Sequence, residues 1–149
     1  MKKAIYLFIA VLGLTAQRGN AQRSEERTGG GGGTDYSSAR VYFTNDVADD
    51  GTIGEEGTVY NINKKKGSYL FCIISNYPNP LNTAEFSVDI YKKKSGSYAF
   101  VETKSYTIET TTKITYFKYS FYEKGEYKFT AKNGDGKTIG SGYVTINYQ

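Results

Sequence analysis

The stretch EKGEYKF, residues 123–129, decides how this chain is expected to fold. Glycine interrupts it at position 125, and the following residues alternate: Tyr127, Phe129 and Ala131 point one way, while charged residues and threonine point the other. Period-two alternation is typical of a β-strand that has one face in a core. The stretch therefore predicts a turn at Gly125 and a half-buried strand over residues 126–132.

The same alternation recurs along the chain from Arg40 onward. Turn-forming residues separate the alternating runs: Pro78 and Pro80 lie in one connection, and Asn133-Gly134-Asp135-Gly136 holds both favoured two-residue hairpin signals. Strands are predicted at residues 40–45, 58–63, 69–75, 84–91, 98–109 (with a break near Thr103), 114–122, 126–132 and 137–148. Seven or eight short strands at spacings of roughly 8–12 residues are typical of an all-β sandwich. A small closed barrel is the alternative fold.

The stretch 123–129 also resembles the acidic-x-Gly-x-Tyr-x-Cys run at the start of strand F in immunoglobulin-like domains. The resemblance implies that Gly125 supplies the turn and that Tyr127 is a corner tyrosine, whose hydroxyl bonds back to the upstream backbone. It places Phe129 where antibody-type domains have their second cysteine, and Cys72 near the place of the first, so that no inter-sheet disulfide forms.

Tryptophan is absent, so the usual strand-C tryptophan is missing as well. The resemblance is therefore to the broad immunoglobulin-like or fibronectin-like architecture of accessory domains in exported bacterial proteins. It covers roughly residues 40–148 and implies a single immunoglobulin-like antiparallel β-sandwich of about seven to eight strands.

The beginning of the chain has the three parts of a secretory signal peptide. Residues 1–3 (MKK) are positive, residues 4–14 (AIYLFIAVLGL) carry no charge, and the segment 19–21 (GNA) has small residues at the −3 and −1 positions. The apolar run is about half of the roughly 20 residues that a membrane span needs. A cleavable signal peptide over residues 1–21 is predicted, with cleavage after Ala16 as the second choice. We therefore expect a periplasmic or secreted protein without a membrane anchor in the mature chain.

Residues 22–39 contain five consecutive glycines and little to bury, which predicts a flexible arm in front of the sandwich of residues 40–149. The whole chain has a net charge of +4, but most of that charge leaves with the signal peptide. The lysine triplets at 64–66 and 92–94 are interpreted as two similar turns, with a role at an anionic surface as the alternative. Because no basic stripe remains, no nucleic-acid partner is expected.

Catalytic equipment is not visible in the sequence. The chain has no histidine, which removes the usual general base and the commonest zinc ligand. Its single cysteine, Cys72, lies in the apolar run 69–74, where a buried small hydrophobe is the expected role. No Gly-x-Ser-x-Gly, phosphate-loop or CxxC motif is present. The chain is predicted to be neither an enzyme nor a cofactor-binding protein, with calcium as the one candidate ion.

The calcium candidate is the loop at 45–56, which concentrates five carboxylates. Calcium prefers oxygen ligands from flexible loops of this kind. The loop departs from the EF-hand pattern because, counted from Asp46, the third position is Ala48 and the twelfth is Gly57. The other interpretation is a solvated acidic loop. The candidate ligands are Asp46, Asp49, Asp50, Glu55 and Glu56.

These observations predict a non-enzymatic exported interaction module that contacts another protein in the envelope or outside the cell. The loops 46–57 and 76–83, or an edge strand, would be the contact surfaces. A carbohydrate-binding module, with or without calcium, is the alternative, because outward tyrosines can stack on sugar rings. A small protease inhibitor presenting residues 77–81 is a third hypothesis. Strand parity places Tyr60, Tyr91, Tyr106, Tyr116 and Tyr143 outward.

Calcium titration during thermal denaturation separates the two interpretations of the acidic loop. If the loop binds calcium, the melting temperature rises at millimolar calcium, because an ion that binds only the folded chain stabilises it. Magnesium at the same concentration is the control for a general salt effect. An unchanged melting temperature identifies the loop as a solvated acidic segment.

Overall fold

Eight β-strands carry the alternation seen in the sequence, in a computed structural model that describes residues 33–149. The predicted signal peptide and most of the predicted arm lie outside the described residues. The strands are β1 (Arg40–Thr44), β2 (Val59–Ile62), β3 (Ser68–Ser75), β4 (Glu85–Lys94), β5 (Ser97–Thr107), β6 (Ile114–Phe121), β7 (Gly125–Asn133) and β8 (Thr138–Tyr148).

The strands form a three-stranded sheet of order β1-β3-β6 and a five-stranded sheet of order β2-β8-β7-β4-β5. The two sheets pack face to face, so the fold is an all-β sandwich and not a closed barrel. One pairing differs from the antiparallel expectation: β2 runs parallel to β8, from Val59 opposite Thr145 to Ile62 opposite Tyr148. The parallel pair arises because the chain leaves β1 in one sheet and joins the edge of the other sheet as β2.

Aromatic residues from both sheets meet at the centre of the core. The ring of Phe129 on β7 lies 4.9 Å from that of Phe43 on β1 and 5.1 Å from that of Tyr119 on β6, both in edge-to-face geometry. Such pairs contribute about 0.5–1.5 kcal/mol beyond the area that they bury. Cys72 on β3 is fully buried in the same core, and burial raises the pKa of its thiol, so the reactive thiolate is disfavoured.

The stretch 123–129 forms a corner at the start of β7. The Tyr127 hydroxyl donates a hydrogen bond to the carbonyl oxygen of Glu123 at 2.9 Å. Gly125 has φ of 147°, which side chains disfavour, and a Cβ there would lie 2.9 Å from Cε of Lys92. Glycine and tyrosine thus fix the direction in which β7 enters the sheet.

The end of the predicted arm is packed against the sandwich. Tyr36 lies against the core and donates from its hydroxyl to the carbonyl oxygen of Leu81 at 2.8 Å. The buried Asn76 amide donates to the carbonyl oxygens of Asp35 and Pro80, at 3.2 and 3.0 Å. Contacts with the sandwich therefore already include Tyr36, a few residues before β1, because its side chain contributes apolar area within the predicted arm.

The second lysine triplet is not in a turn as predicted. Lys92, Lys93 and Lys94 belong to β4, and the turn is Ser95-Gly96, with φ of 49° and 85°. Strand β5 is continuous through Thr103, and the irregularity in its pairing with β4 lies opposite Ile90 and Tyr91. The triplet extends β4 because lysine stems are tolerated on a strand surface, and the positive φ values that reverse the chain fall on the next two residues, Ser95 and Gly96.

The turn between β7 and β8 is longer than the two-residue loop that its sequence suggests, because residues 134–137 lie between the two strands. The amide of Gly136 donates to the carbonyl oxygen of Asn133 at 2.9 Å, and Gly136 has φ of 80°. The Asn133 side chain accepts from the amides of Asp135 and Lys137, at 3.0 and 2.9 Å. Asparagine thereby satisfies the loop's own backbone donors, which selects this longer turn.

A close crossing joins the two sheets along one edge, where β1 passes over β8. Gly142 is buried there, and a Cβ on it would overlap the carbonyl oxygen of Val41. Two residues earlier on the same strand, a Cβ on Gly140 would make only ordinary contacts, at 3.6 Å from Ala39 and Val41 atoms. Glycine at position 142 is therefore required for the approach of the two sheets.

Gly142→Ala is expected to destabilise the protein by about 1–3 kcal/mol, because the added methyl pushes β1 away from β8. Gly140→Ala on the same strand is the matched control and should change the free energy of unfolding by less than about 1 kcal/mol. Urea denaturation followed by tyrosine fluorescence measures both. Equal losses for the two variants would contradict the assignment of the crossing to Gly142.

Candidate functional site

The outer face of the five-stranded sheet carries a row of aromatic residues. Cross-strand register aligns Phe100 of β5, Tyr91 of β4, Lys128 of β7 and Tyr143 of β8. On β4, β7 and β8 the next side chains on the opposite face, Ile90, Phe129 and Val144, are in the core, so the period of two directs this row to solvent. Aromatic side chains in this position expose apolar area to water, and strand formation does not require them there.

The row extends sideways, because the ring of Tyr98 on β5 lies 6.0 Å from that of Tyr143. The ring of Tyr91 lies 5.9 Å from that of Phe100. The Lys128 ammonium lies between the rings of Tyr91 and Tyr143, at 6.0 Å and 5.9 Å, which is within the range of cation–π attraction. We call these five residues the aromatic strip. Phe100 is 61% exposed and Tyr143 is 53% exposed.

A small open depression of about 150 Å³ borders the aromatic strip on the side of β2. Tyr98 and Tyr143 form one part of its wall, and Val59, Glu126 and Thr145 form another. Val59 is 58% exposed, so the apolar surface continues across the depression to the edge of the sheet. Glu126 is held by an ion pair with Lys93 at 2.8 Å.

On its other side the strip is bordered by polar residues that bond to one another. The Asp89 carboxylate accepts from the Thr103 hydroxyl and from the Lys132 ammonium, both at 2.6 Å. The hydroxyls of Thr130 and Ser141 are bonded at 3.0 Å. Lys132, with the Thr103 hydroxyl adding to it, holds the pKa of Asp89 below its usual range. These groups have their partners within the sheet.

The tyrosines that parity placed outward divide into three groups. Tyr91 and Tyr143 are in the aromatic strip. Tyr116 lies on the outer face of the three-stranded sheet, with its ring 5.8 Å from that of Phe71. The outward placement of Tyr60 and Tyr106 was wrong: Tyr60 donates to the carbonyl oxygen of Phe43, and the Tyr106 ring stacks between Phe86 and Phe117.

Sequence reasoning missed Tyr98, Phe100 and Lys128 as site residues. Tyr98 and Phe100 are two positions apart on one strand, a spacing that puts both on one face. That signal was present, but only the register of four strands brings these side chains next to Tyr91 and Tyr143.

The acidic loop does not gather its five carboxylates at one point. Glu56 pairs with Arg40 at 2.6 Å, and Asp50 accepts from the amide of Thr52 at 2.9 Å within its own turn. Backbone hydrogen bonds close the loop, including the one that the Gly54 amide donates to the Asp46 carbonyl oxygen. Within residues 33–149, no group of three or more Asp, Glu, Cys or His side chains is close enough to hold a metal ion. Calcium binding by this loop stays a prediction, and it requires the loop to rearrange around the ion.

The loop at 76–83 is only partly exposed, because hydrogen bonds attach it to the segment that precedes β6. Asn76 and Leu81 are buried, and their amides donate to carbonyl oxygens of Lys113 and Thr112 at 2.9 and 2.7 Å. Its tip at residues 77–79 is open to solvent, with Tyr77 64% exposed, and Asn82 is exposed as well.

Comparison with known proteins supplies no relative from which a site could be transferred: no protein-family model and no curated protein matches the chain. Residues 33–149 contain no helix that is long and apolar enough to cross a membrane.

Asp89→Asn is expected to lower the free energy of unfolding by on the order of 1 kcal/mol at neutral pH. Because the pKa of Asp89 is lower in the folded chain, its contribution is complete above the ordinary value, near 4, and is lost as the pH falls through the folded pKa. Urea denaturation at a series of pH values should therefore show the two proteins converging below about pH 4. Asp135→Asn in the exposed turn is the control, and a loss for Asp89→Asn that does not change with pH would contradict the assignment.

Proposed function

We propose that this chain is a non-enzymatic interaction module and that the aromatic strip is where a partner protein binds. The single observation that carries the proposal is the alignment of exposed Phe100, Tyr98 and Tyr143 on one sheet face, continuous with Val59. Aromatic residues are enriched in protein interfaces, and contiguous exposed apolar surface marks interaction sites. A lysine between the rings gives such a surface a polar contact at its centre.

The outer face of the three-stranded sheet serves as an internal comparison. It also carries apolar residues, but Ile73 is fully buried and Phe71 is 7% exposed. The Lys118 ammonium lies 4.5 Å from the Tyr69 ring and 5.2 Å from the Phe71 ring, so the lysine stem lies close to this apolar surface. On that face Phe71 and Ile73 are covered and Tyr69 is exposed, whereas the aromatic strip exposes Phe100 and Tyr143 together.

The shape of the strip favours a macromolecule over a small ligand. Pockets for small molecules enclose about 300–1,000 Å³, and the depression beside Tyr98 is smaller and open. Such a depression suits one side chain of a partner, surrounded by flat contact area. A protein partner would therefore place an apolar side chain between Tyr98, Tyr143 and Val59.

Carbohydrate binding is the alternative, and two features of the site weigh against it. Sugar stacking uses flat aromatic platforms, but Tyr91 and Phe100 are inclined by 74° and Tyr98 and Tyr143 by 61°. The polar groups beside the strip are already bonded to each other, as Asp89 is to Thr103 and Lys132, and few remain for sugar hydroxyls.

We further propose that the domain belongs to the immunoglobulin-like or fibronectin-like architecture and works outside the cytoplasm. If β1, β3 and β6 are taken as strands A, B and E, then β4, β7 and β8 take the places of C, F and G. The corner tyrosine then stands at the start of strand F, as the resemblance requires. Export is supported by the signal-peptide pattern of residues 1–21.

The binding proposal is tested with the double variant Phe100→Ser/Tyr143→Ser. The immobilised chain is used to capture a protein from envelope and secreted fractions, and the captured protein is then purified and its Kd measured by calorimetry. We expect the double variant to weaken the Kd at least about 10-fold, because each interface aromatic that matters contributes more than about 1 kcal/mol.

The matched control is Tyr69→Ser/Tyr77→Ser, which removes two exposed aromatic residues elsewhere on the surface and should leave the Kd unchanged. Equal Kd values for both double variants would reject the strip as the binding site. A glycan array run in parallel tests the alternative: glycan binding that Phe100→Ser/Tyr143→Ser abolishes would replace the protein partner with a carbohydrate.

A further inference from the structure

The two lysine triplets, which are separated in sequence, lie at the same end of the sandwich. The Tyr148 ring joins the first triplet to the β6–β7 turn: the Lys64 ammonium lies 5.7 Å from this ring, and the Lys124 ammonium lies 5.9 Å from it. Lys92 forms an ion pair with Glu123, the neighbour of Lys124. The β2–β3 turn, the end of β4 and the β6–β7 turn thus form one surface.

We call this surface the cationic end. Its lysines come from three parts of the chain, and all but Lys92 are exposed. Only Lys92 and Lys93 have carboxylate partners within residues 33–149, which are Glu123 and Glu126. The members are Lys64, Lys65, Lys66, Lys92, Lys93, Lys94 and Lys124.

Turn geometry does not account for the charge of this end. Like charges held together at one end repel each other and destabilise a compact chain, and nothing in turn geometry requires three consecutive lysines at 64–66. The acidic loop does not neutralise them: within the described residues its one ion pair is from Glu56 to Arg40. The loop leaves the sandwich after Thr44, which lies opposite Phe71 in the middle of β3, and not beside Ser68, where β3 begins at the cationic end.

We propose that the cationic end binds an anionic membrane surface. Charge complementarity identifies the partner chemistry, and the arrangement of the lysines favours a plane of lipid phosphates over a single polymer chain. The lysines lie on separate turns at the tip of the sandwich, where a plane contacts several of them at once. Tyr122, at the same end, is 68% exposed, and tyrosine is a side chain that favours the membrane–water interface.

Binding of this kind is peripheral and adds to the proposed function without depending on it. The cationic end is formed by turns and strand ends, while the aromatic strip lies on a sheet face and centres on Tyr91, Lys128 and Tyr143. A domain resting on its cationic end would keep the sheet face available to a partner protein.

The test is co-sedimentation with lipid vesicles. It uses the protein purified in the form that the producing cell makes, after any processing. Vesicles of phosphatidylcholine mixed with phosphatidylglycerol are compared with vesicles of phosphatidylcholine alone, so that any uncharged contribution is subtracted. We expect binding to the anionic vesicles only, and we expect it to weaken as salt rises.

The variant Lys64→Gln/Lys65→Gln/Lys66→Gln is expected to reduce binding to anionic vesicles by about 100-fold, since each lysine near such a surface contributes about five-fold. Lys104→Gln/Lys113→Gln/Lys137→Gln removes the same charge elsewhere and should retain most of the binding. Lys94→Gln/Lys124→Gln gives a second test at the cationic end if the first variant is unstable. Phe100→Ser/Tyr143→Ser should bind vesicles like the unchanged chain, which separates this proposal from the protein-binding one.

Three results would overturn the proposal: equal binding to both vesicle types, equal loss in the two triple variants, or binding to heparin beads without binding to anionic vesicles. The last result would assign the cationic end to a soluble polyanion.

Discussion

The packing of Phe129 against aromatic rings of the opposite sheet is the interaction on which the rest of the structure depends. The chain has one cysteine, so no disulfide joins its sheets, and the connection is made by rings from β1, β6 and β7. Edge-to-face packing is directional, and it fixes how the sheets face each other as well as how close they lie. The corner at Tyr127 and the close crossing at Gly142 then set where β7 and β1 enter this arrangement. A shift of either strand would move ring positions in the core and, on the other face, the residues of the aromatic strip.

Because successive residues of a strand point to opposite faces, the core fixes the outer surface as well. Phe129 is buried, so Lys128 must face outward, and the register that pairs Phe129 with Gly142 pairs Lys128 with Tyr143. The strip is therefore positioned by the same contacts that hold the sheets together. This coupling gives the site a rigid support, which lowers the ordering cost of binding a partner. The same register accounts for the bonds among the polar neighbours of the strip, because it places Asp89 opposite Thr103 and Thr130 opposite Ser141.

Much of the fold could be predicted from the sequence, because alternation and turn residues are local signals. All eight strands were expected, and Tyr127 lies in the corner that the resemblance implied. The sheet to which β2 belongs could not be predicted, since a four-residue strand carries no information on its partner. Tyr106 has the same parity as the exposed Tyr98 and Phe100, yet it stacks between Phe86 and Phe117. The irregularity opposite Ile90 and Tyr91 shifts the alternation of β5 by one residue, so Tyr106 lies beside Phe86 on the core face. The candidate site was only half visible: parity identifies Tyr91 and Tyr143, but their meeting with Tyr98 and Phe100 depends on long-range register.

The same distinction between local and long-range information applies to charge. The sequence suggests two similar lysine turns in a chain whose net charge would be small without the predicted signal peptide, and a small net charge argues against a polyanionic partner. Net charge, however, does not describe how charge is distributed. The antiparallel return of β3, β4 and β7 brings three separate lysine positions to one end, while the acidic loop branches off at mid-height beside β1. A nearly neutral sandwich can therefore present a strongly positive end, and its electrostatic field acts on whatever approaches that end, because screening confines each charge to about 10 Å at 0.1 M salt. Net charge describes the electrostatics of the molecule at long distance. At contact distance, the topology determines which charges a partner meets.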